Sequence, residues 1–172
     1  MTIPTLTTER LLLRAHRGED FPALAAMWAD PAVVRFIGGV PSARQDCWFR
    51  LLRYAGLWPT LGYGYWAVEE RSTGLYIGDV GFADFKRILT PSIEGVPELG
   101  WALASAAHGK GYGTEAVTAA LAWGDAQGWT RVVCIIDAVN EPSVKVARKA
   151  GFQGPQQAQL AGKPIDLYER RR

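Results

Sequence analysis

The segment His108-Gly-Lys-Gly-Tyr-Gly-Thr-Glu115 constrains this chain more than any other, because it sets three glycines between an apolar stretch and the first turn of a helix. Glu98 to Ala104 reads as a strand, and Thr114 opens a helix whose apolar positions Val117, Ala120, Leu121 and Ala126 hold helical spacing up to Gly128. Arg131 to Asp137 then encloses Val-Val-Cys-Ile-Ile, a nearly continuous apolar run suited to a strand covered on both faces. The unit is therefore strand, glycine loop, helix and strand. Free N–H groups at a helix N-terminus attract phosphate, and glycine lets the main chain approach it. Lys110 adds a point charge. A Walker A loop needs Ser or Thr after its Lys, but Lys110 precedes Gly111. A dinucleotide fingerprint needs Gly-x-Gly-x-x-Gly in the first strand-to-helix turn, whereas this loop is Gly-x-Gly-x-Gly and lies two-thirds of the way down the chain. A tight turn with no ligand is the plain alternative.

The rest of the chain supplies more strands than helices. Arg10-Leu-Leu-Leu-Arg14 reads as an opening strand, followed by a helix from Asp20 with Phe21, Leu24, Ala25 and Trp28 at helical steps and a stop at Asp30-Pro31. A second helix is expected from Ser42, as N-cap, to about Leu57, with Cys47, Leu51, Tyr54 and Ala55 on its apolar face. Tyr65 to Glu70 and Tyr76 to Phe82 form a hairpin around Ser72-Thr73-Gly74. Residues 86 to 97, with two prolines, read as a loop or frayed strand end. A last helix begins at Pro142 and is capped by Gly151, and Leu167-Tyr168 closes the sheet. No repeat or linker divides the 172 residues, so one domain over residues 1–172 is expected.

Composition narrows the function. Hydrophobic residues at 48% and charged residues at 21% suit a globular chain, and a net charge of +2 with scattered Lys and Arg gives no footprint for nucleic acid or an anionic membrane. Leu11 to Leu13, bounded by Arg10 and Arg14, is too short for a signal core or a membrane span. The two cysteines, Cys47 and Cys134, lack the spacing of a zinc or redox motif, so no metal and a reducing, cytoplasmic setting are expected.

Several strings together carry a resemblance. Thr8-Glu-Arg-Leu-Leu-Leu-Arg14, Trp28-Ala-Asp-Pro31, Ile77-Gly78, Leu99-Gly-Trp101, Gly109-Lys-Gly-Tyr-Gly-Thr-Glu-Ala116 and the series from Asn140 and Ser143 to Ala150-Gly-Phe152 resemble the GNAT superfamily of N-acetyltransferases, especially its RimJ/RimL-like branch. The resemblance covers about residues 8 to 152. It implies an α/β (α+β) domain whose mixed, mostly antiparallel sheet splays between the strands at 98–104 and 131–137, with about four flanking helices. Acetyl-coenzyme A would lie in that gap. The pyrophosphate turn maps onto Gly109, Lys110, Gly111, Tyr112, Gly113 and Thr114; Trp101, Ala102 and Leu103 would pair with the pantetheine arm; Asn140 and Ser143 would lie at the thiol end. Many relatives carry Gln or Arg where this chain has His108, and many carry a Tyr where it has Ala147.

Acetyl transfer to an amine needs a neutral amine, stabilisation of the thioester oxygen and a proton for the departing thiolate. The resemblance makes Ser143 the hydrogen-bond donor to that thiolate; a first-turn Ser bonded to the backbone is the rival reading. Glu98 is the candidate base, against an exposed strand-end Glu. A backbone N–H near Leu103 is the candidate oxyanion donor. Cys134, flanked by Val and Ile, lacks a base to activate it, which favours direct transfer over an acetyl-cysteine. Residues 30 to 66 would wall the acceptor pocket, with Trp28, Trp48 and Trp66 in the core and Tyr63 and Tyr65 nearer the pocket. Asp79, Asp84 and Glu94 are candidate attractors of a cationic amine. The acceptor is then a small-molecule amine or a protein N-terminus, handled by a monomer or homodimer; the alternative is an acyl-coenzyme A sensor of the same fold without turnover.

Overall fold

The computed structural model describes residues 2–172. In chain order the elements are β1 (Leu6–Thr7), β2 (Leu11–Arg14), α1 (Phe21–Ala29), α2 (Pro31–Val34), α3 (Arg44–Leu61), β3 (Tyr65–Glu70), β4 (Leu75–Ala83), β5 (Leu89–Thr90), β6 (Glu98–Leu103), α4 (Tyr112–Ala126), β7 (Arg131–Ile136), α5 (Glu141–Lys149), β8 (Gln153–Leu160) and β9 (Lys163–Arg171). They build one nine-stranded sheet in the order β1-β2-β3-β4-β6-β7-β9-β8-β5. Every neighbouring pair is antiparallel except β6 and β7. The fold is thus the expected mixed sheet, with five helices rather than four.

Alternation along the strands builds two cores, one on each face. Trp66 and Val68 of β3 and Val80 and Phe82 of β4 turn toward α4, where Val117, Ala120 and Leu121 meet them. Trp58, Trp66, Phe82, Trp123 and Trp129 pack there mostly edge to face, an arrangement aromatic quadrupoles favour. On the opposite face Tyr65 and Ala83 meet α1 and α3 through Leu24, Trp28, Leu51 and Tyr54. At Gly81 the two hairpin strands come so close that an added Cβ would lie 2.3 Å from the Cα of Tyr65, so no larger residue fits there.

Several expectations are corrected. Ser42 does not cap α3; Ala43 precedes its first turn without a side-chain bond. The helix runs past Pro59 to Leu61 because Trp58, 1% exposed and bonded through Nε1 to the Tyr65 carbonyl (3.0 Å), anchors its last turn. Ala55 faces solvent in consequence. Trp48 is 39% exposed and lies edge-on to Phe21 rather than in the core. Leu167-Tyr168 lies on β9, an inner strand, because β8 turns back through Ala161 and Gly162 (φ +48° and +80°) and pairs with it. Residues 86 to 97 contribute β5, which edges the sheet against β8. Among the described residues no helix is long and apolar enough to cross a membrane.

One buried ion pair fastens β2 to α1. The Arg14 guanidinium donates twice to Asp20 (2.8 Å each) and once to Glu69 (2.7 Å), and Asp20 also accepts the Arg17 N–H (2.8 Å). Burial pushes the Asp20 carboxyl up, but the Arg14 and Arg17 hydrogen bonds outweigh it and hold its pKa below the ordinary value. A depressed carboxylate contributes stability above its unfolded pKa, about 4, and loses it as pH falls through the folded value. Urea unfolding should therefore show stability declining below that point, with a shallower decline in Asp20→Asn. Arg14→Met should cost about 3–5 kcal/mol, as expected when one partner of a buried pair is removed; a loss under about 1 kcal/mol would place the pair among inconsequential surface bridges.

Candidate functional site

The glycine loop follows a short 3-10 turn at Ser105–Ala107 and ends where α4 begins, at Tyr112. Gly111, at φ +82°, is the residue that turns the chain into the helix, and no side chain caps the helix start. The first N–H groups of α4 are therefore free for an anion. His108 donates from Nε2 to the Leu103 carbonyl at 2.8 Å, tying the loop to the end of β6, since a carbonyl oxygen only accepts. The Lys110 side chain is exposed.

The segment before β2 braces this turn. Arg10 donates to the Lys110 carbonyl (2.9 Å) and to Glu115 (2.7 Å), and its guanidinium covers the Tyr112 ring at 4.6 Å. Glu115 also accepts the Thr8 hydroxyl (2.6 Å) and the Arg10 N–H (2.9 Å). Burial raises the Glu115 carboxyl, but these donors hold its pKa below the ordinary value. Tyr112 donates its hydroxyl to Glu70. The string Thr8-Glu-Arg10 thus positions a loop about a hundred residues away, a role that its place in the sequence did not reveal.

Between β6 and β7 the sheet opens. Their pairing consists of Glu98 with Val133, joined by a Val133 N–H to Pro97 carbonyl bond of 3.1 Å. Beyond it lies a groove of about 480 Å³, walled by Trp101 to Leu103, the glycine loop and the start of α4, and by Asn140, Ser143 and Val146 of α5. Asn140, 9% exposed, caps α5 by accepting the Ser143 N–H at 3.2 Å. The Ser143 hydroxyl makes no hydrogen bond among the described residues, so the backbone-bonded reading of this side chain does not hold. Ala147, one turn on, is fully buried in the core and lines no cavity.

A second cavity, about 250 Å³, continues from the groove on the other side of Trp101, Ala102, Asn140 and Ser143, which line both. Its walls include Glu98, Tyr65, Tyr54, Trp28, Arg50 and Arg87. Glu98 is not the exposed strand-end residue that was the rival reading: it is 4% exposed, and Arg87 donates to its Oε2 at 2.7 Å. Tyr54 and Tyr65 stack at 4.5 Å, and the Tyr65 hydroxyl occupies the space a Cβ at Gly100 would need, 2.0 Å away. Burial pushes both phenols well above their ordinary pKa, so they stay protonated.

Other candidates fall away. Asp79 is fully buried and bonded to His16 (2.7 Å), Tyr76 (2.7 Å) and Trp28 (3.4 Å). Asp84 and Glu94 share Lys86 and line neither cavity. Tyr63 packs on Trp129, away from the pocket, whereas Trp28 lies in the core as expected and also lines the cavity. Among the described residues no group of three or more His, Cys, Asp or Glu is placed to hold a metal ion. Arg50, Tyr54 and Arg87 were missed as site residues; the one available signal was a cation four residues from Tyr54 on the face that also carries Cys47 and Leu51.

Residues 10–153 match the family model described as an acetyltransferase (GNAT) domain. The chain is 30% identical to the protein YkkB of Bacillus subtilis, over 96% of this chain and 95% of that one. It is similar to the solved structure of an acetyltransferase from Agrobacterium tumefaciens, at 29% identity, a TM-score of 0.84, and coverage of 100% of this chain and 96% of the other. The fold is shared with RimL, a ribosomal L7/L12 α-N-protein acetyltransferase solved with coenzyme A, at 17% identity, a TM-score of 0.75 and 98% coverage of both chains.

Both thiols are buried, and that has a chemical consequence. Burial, followed by the nearby Glu98 charge, pushes the Cys134 thiol well above its ordinary value, and burial also raises Cys47. Iodoacetamide at mildly alkaline pH should leave both cysteines unlabelled in the folded protein while labelling the urea-unfolded chain fully. Rapid native labelling of Cys134 would contradict its exclusion as a nucleophile.

Proposed function

Because the chain belongs to the GNAT acetyltransferase family, we propose that it moves the acetyl group of acetyl-coenzyme A directly to a primary amine, and that the opening between β6 and β7 is where the two substrates meet. The observation that carries this reading is the continuity of groove and cavity at Asn140 and Ser143, with a phosphate-ready helix start at one end and a buried carboxylate at the other. The residues present suit the coenzyme: the N–H groups at Gly109 to Thr114 for pyrophosphate, and the free edge of β6 at Trp101, Ala102 and Leu103 for an extended, amide-bearing arm. When bound, acetyl-coenzyme A supplies a thioester. We place the chain near the RimJ/RimL-like branch on its Ser143 and its first-strand string.

Transfer forms an N–C bond, breaks the C–S bond, releases a proton from the amine and needs one at the sulfur. Ser143, whose hydroxyl is unengaged at the junction, donates a hydrogen bond that steadies the departing thiolate, and the thiolate takes its proton from water. Glu98, held by Arg87 through Oε2 and making no hydrogen bond through Oε1 among the described residues, takes the amine proton directly or through water. A backbone N–H near Leu103, on the strand's free edge, donates to the carbonyl oxygen.

Calorimetric titration with acetyl-coenzyme A tests the site. The parent should bind, and Gly111→Glu, folded by circular dichroism, should lose at least about tenfold in affinity, because it places a side chain at a left-handed position and a negative charge beside the helix start. Equal binding by both proteins would move the pyrophosphate elsewhere. In thiol-release assays Ser143→Ala should lower kcat by roughly 10- to 100-fold, the loss expected for a hydrogen bond to a charged group. Glu98→Gln should lower turnover while leaving acetyl-coenzyme A binding intact; unaltered turnover would remove Glu98 from the mechanism.

A further inference from the structure

The inner cavity contains a cation with no counterion. Arg50 lies with its guanidinium over the Trp28 ring, 3.7 Å from the centroid. Its Nε is buried and has no hydrogen-bond partner, and the one side-chain hydrogen bond of the guanidinium among the described residues is a long 3.5 Å contact from Nη1 to the Tyr54 hydroxyl. No carboxylate lies within ion-pair distance of it among the described residues. Arg87, the other cation in the wall, is matched by Glu98 at 2.7 Å. The remaining anion of the cavity, Asp137, is exposed and accepts the Val139 N–H.

Stacking on Trp28 does not account for this arrangement. An aromatic face satisfies the face of a guanidinium and leaves its in-plane N–H fork unfilled. That fork is what a carboxylate takes, through two parallel charge-assisted bonds. Buried donors without partners are rare in folded proteins, and this one belongs to a guanidinium whose residue lines the cavity, where a group arriving with the ligand can pair with it. Trp28, Tyr54, Tyr65 and Phe85 make the surrounding surface aromatic. The volume, about 250 Å³, lies below the usual range of roughly 300–1,000 Å³ for small-molecule sites, which suits a compact acceptor.

We propose that the acceptor is a free amino acid, a primary amine and a carboxylate on an apolar or aromatic frame, with the carboxylate bound by Arg50 and the amine directed to the Ser143 end of the cavity. The proposal rests on the acetyltransferase reading above and refines its substrate. A protein N-terminus has a peptide bond where the free amino acid has its carboxylate, and so leaves Arg50 unpaired.

The test separates binding from turnover. With coenzyme A present, the holoprotein is titrated with N-acetylphenylalanine, its amide and N-acetylphenethylamine, and with the equivalent leucine and methionine sets; kcat/KM is measured for the unacetylated amines. In at least one set the acid should bind better than its amide and its decarboxylated counterpart by roughly 10- to 100-fold, the range for a hydrogen bond to a charged group. Arg50→Met should collapse that ratio, and Arg50→Lys should retain part of it. A purely structural role for Arg50 would instead lower all ligands together and leave the ratio in place, which overturns the proposal. Equal binding of acid and amide in every set, absence of binding by all of them, or preference for a peptide amine over the free amino acid also overturns it. Selective, Arg50-dependent binding without thiol release upholds the carboxylate subsite and contradicts only the transfer reading.

Discussion

Adjacent parallel strands share a ladder along their length, and every N–H and C=O taken out of that ladder must find another partner. β6 and β7 share a single registered pair, Glu98 with Val133, and then part. The sheet survives because each strand is held on its other side, β6 by six pairs with β4 and β7 by six with β9. What remains is an open strand edge inside the molecule, beside the uncapped start of α4. Such an edge suits an extended ligand carrying amides, and the helix start suits phosphate. The groove, the inner cavity and the position of Ser143 between them all follow from this parting.

The parting also explains why charge is distributed as it is. Around the loop, Arg10 and Glu115 neutralise one another, so the carboxylate in the first turn of α4 does not repel an anion at the helix start. Inside the cavity, Arg87 and Glu98 pair in the same way, which lets a carboxylate stay buried at the position proposed for the base. Each pair ties together segments that are separated in the chain. Arg50 is the exception: it has no carboxylate partner among the described residues, and the proposed amino-acid acceptor rests on that.

Much of this was legible in the sequence where apolar period and glycine placement agree. The β3–β4 hairpin, β6, β7 and α4 emerged within one or two residues because each buries several apolar side chains, and α5 emerged from Pro142 and Gly151 at its ends. β8 did not: Gln153-Gly-Pro-Gln-Gln-Ala-Gln-Leu160 buries only Ala158, and it is a strand because it pairs with β9, not because of its own pattern. The end of α3 was hidden by Pro59, whose local cost is outweighed by Trp58. In the site, the loop and Ser143 could be found from local strings. The burial of Glu98 could not, because its partner Arg87 comes from a proline-containing stretch that reads as loop. Nor could Arg50 or Asp79, which become respectively unpaired and fully paired only when the helices dock on the sheet.

Amide hydrogen exchange with and without saturating acetyl-coenzyme A reads the backbone groups at the parting rather than overall affinity. Bound coenzyme should bring new protection at residues 101–103 on β6 and at 109–114 in the loop and helix start, with the β8–β9 hairpin unchanged. Saturated binding that leaves the edge of β6 exchanging as in the free protein would contradict that placement of the coenzyme.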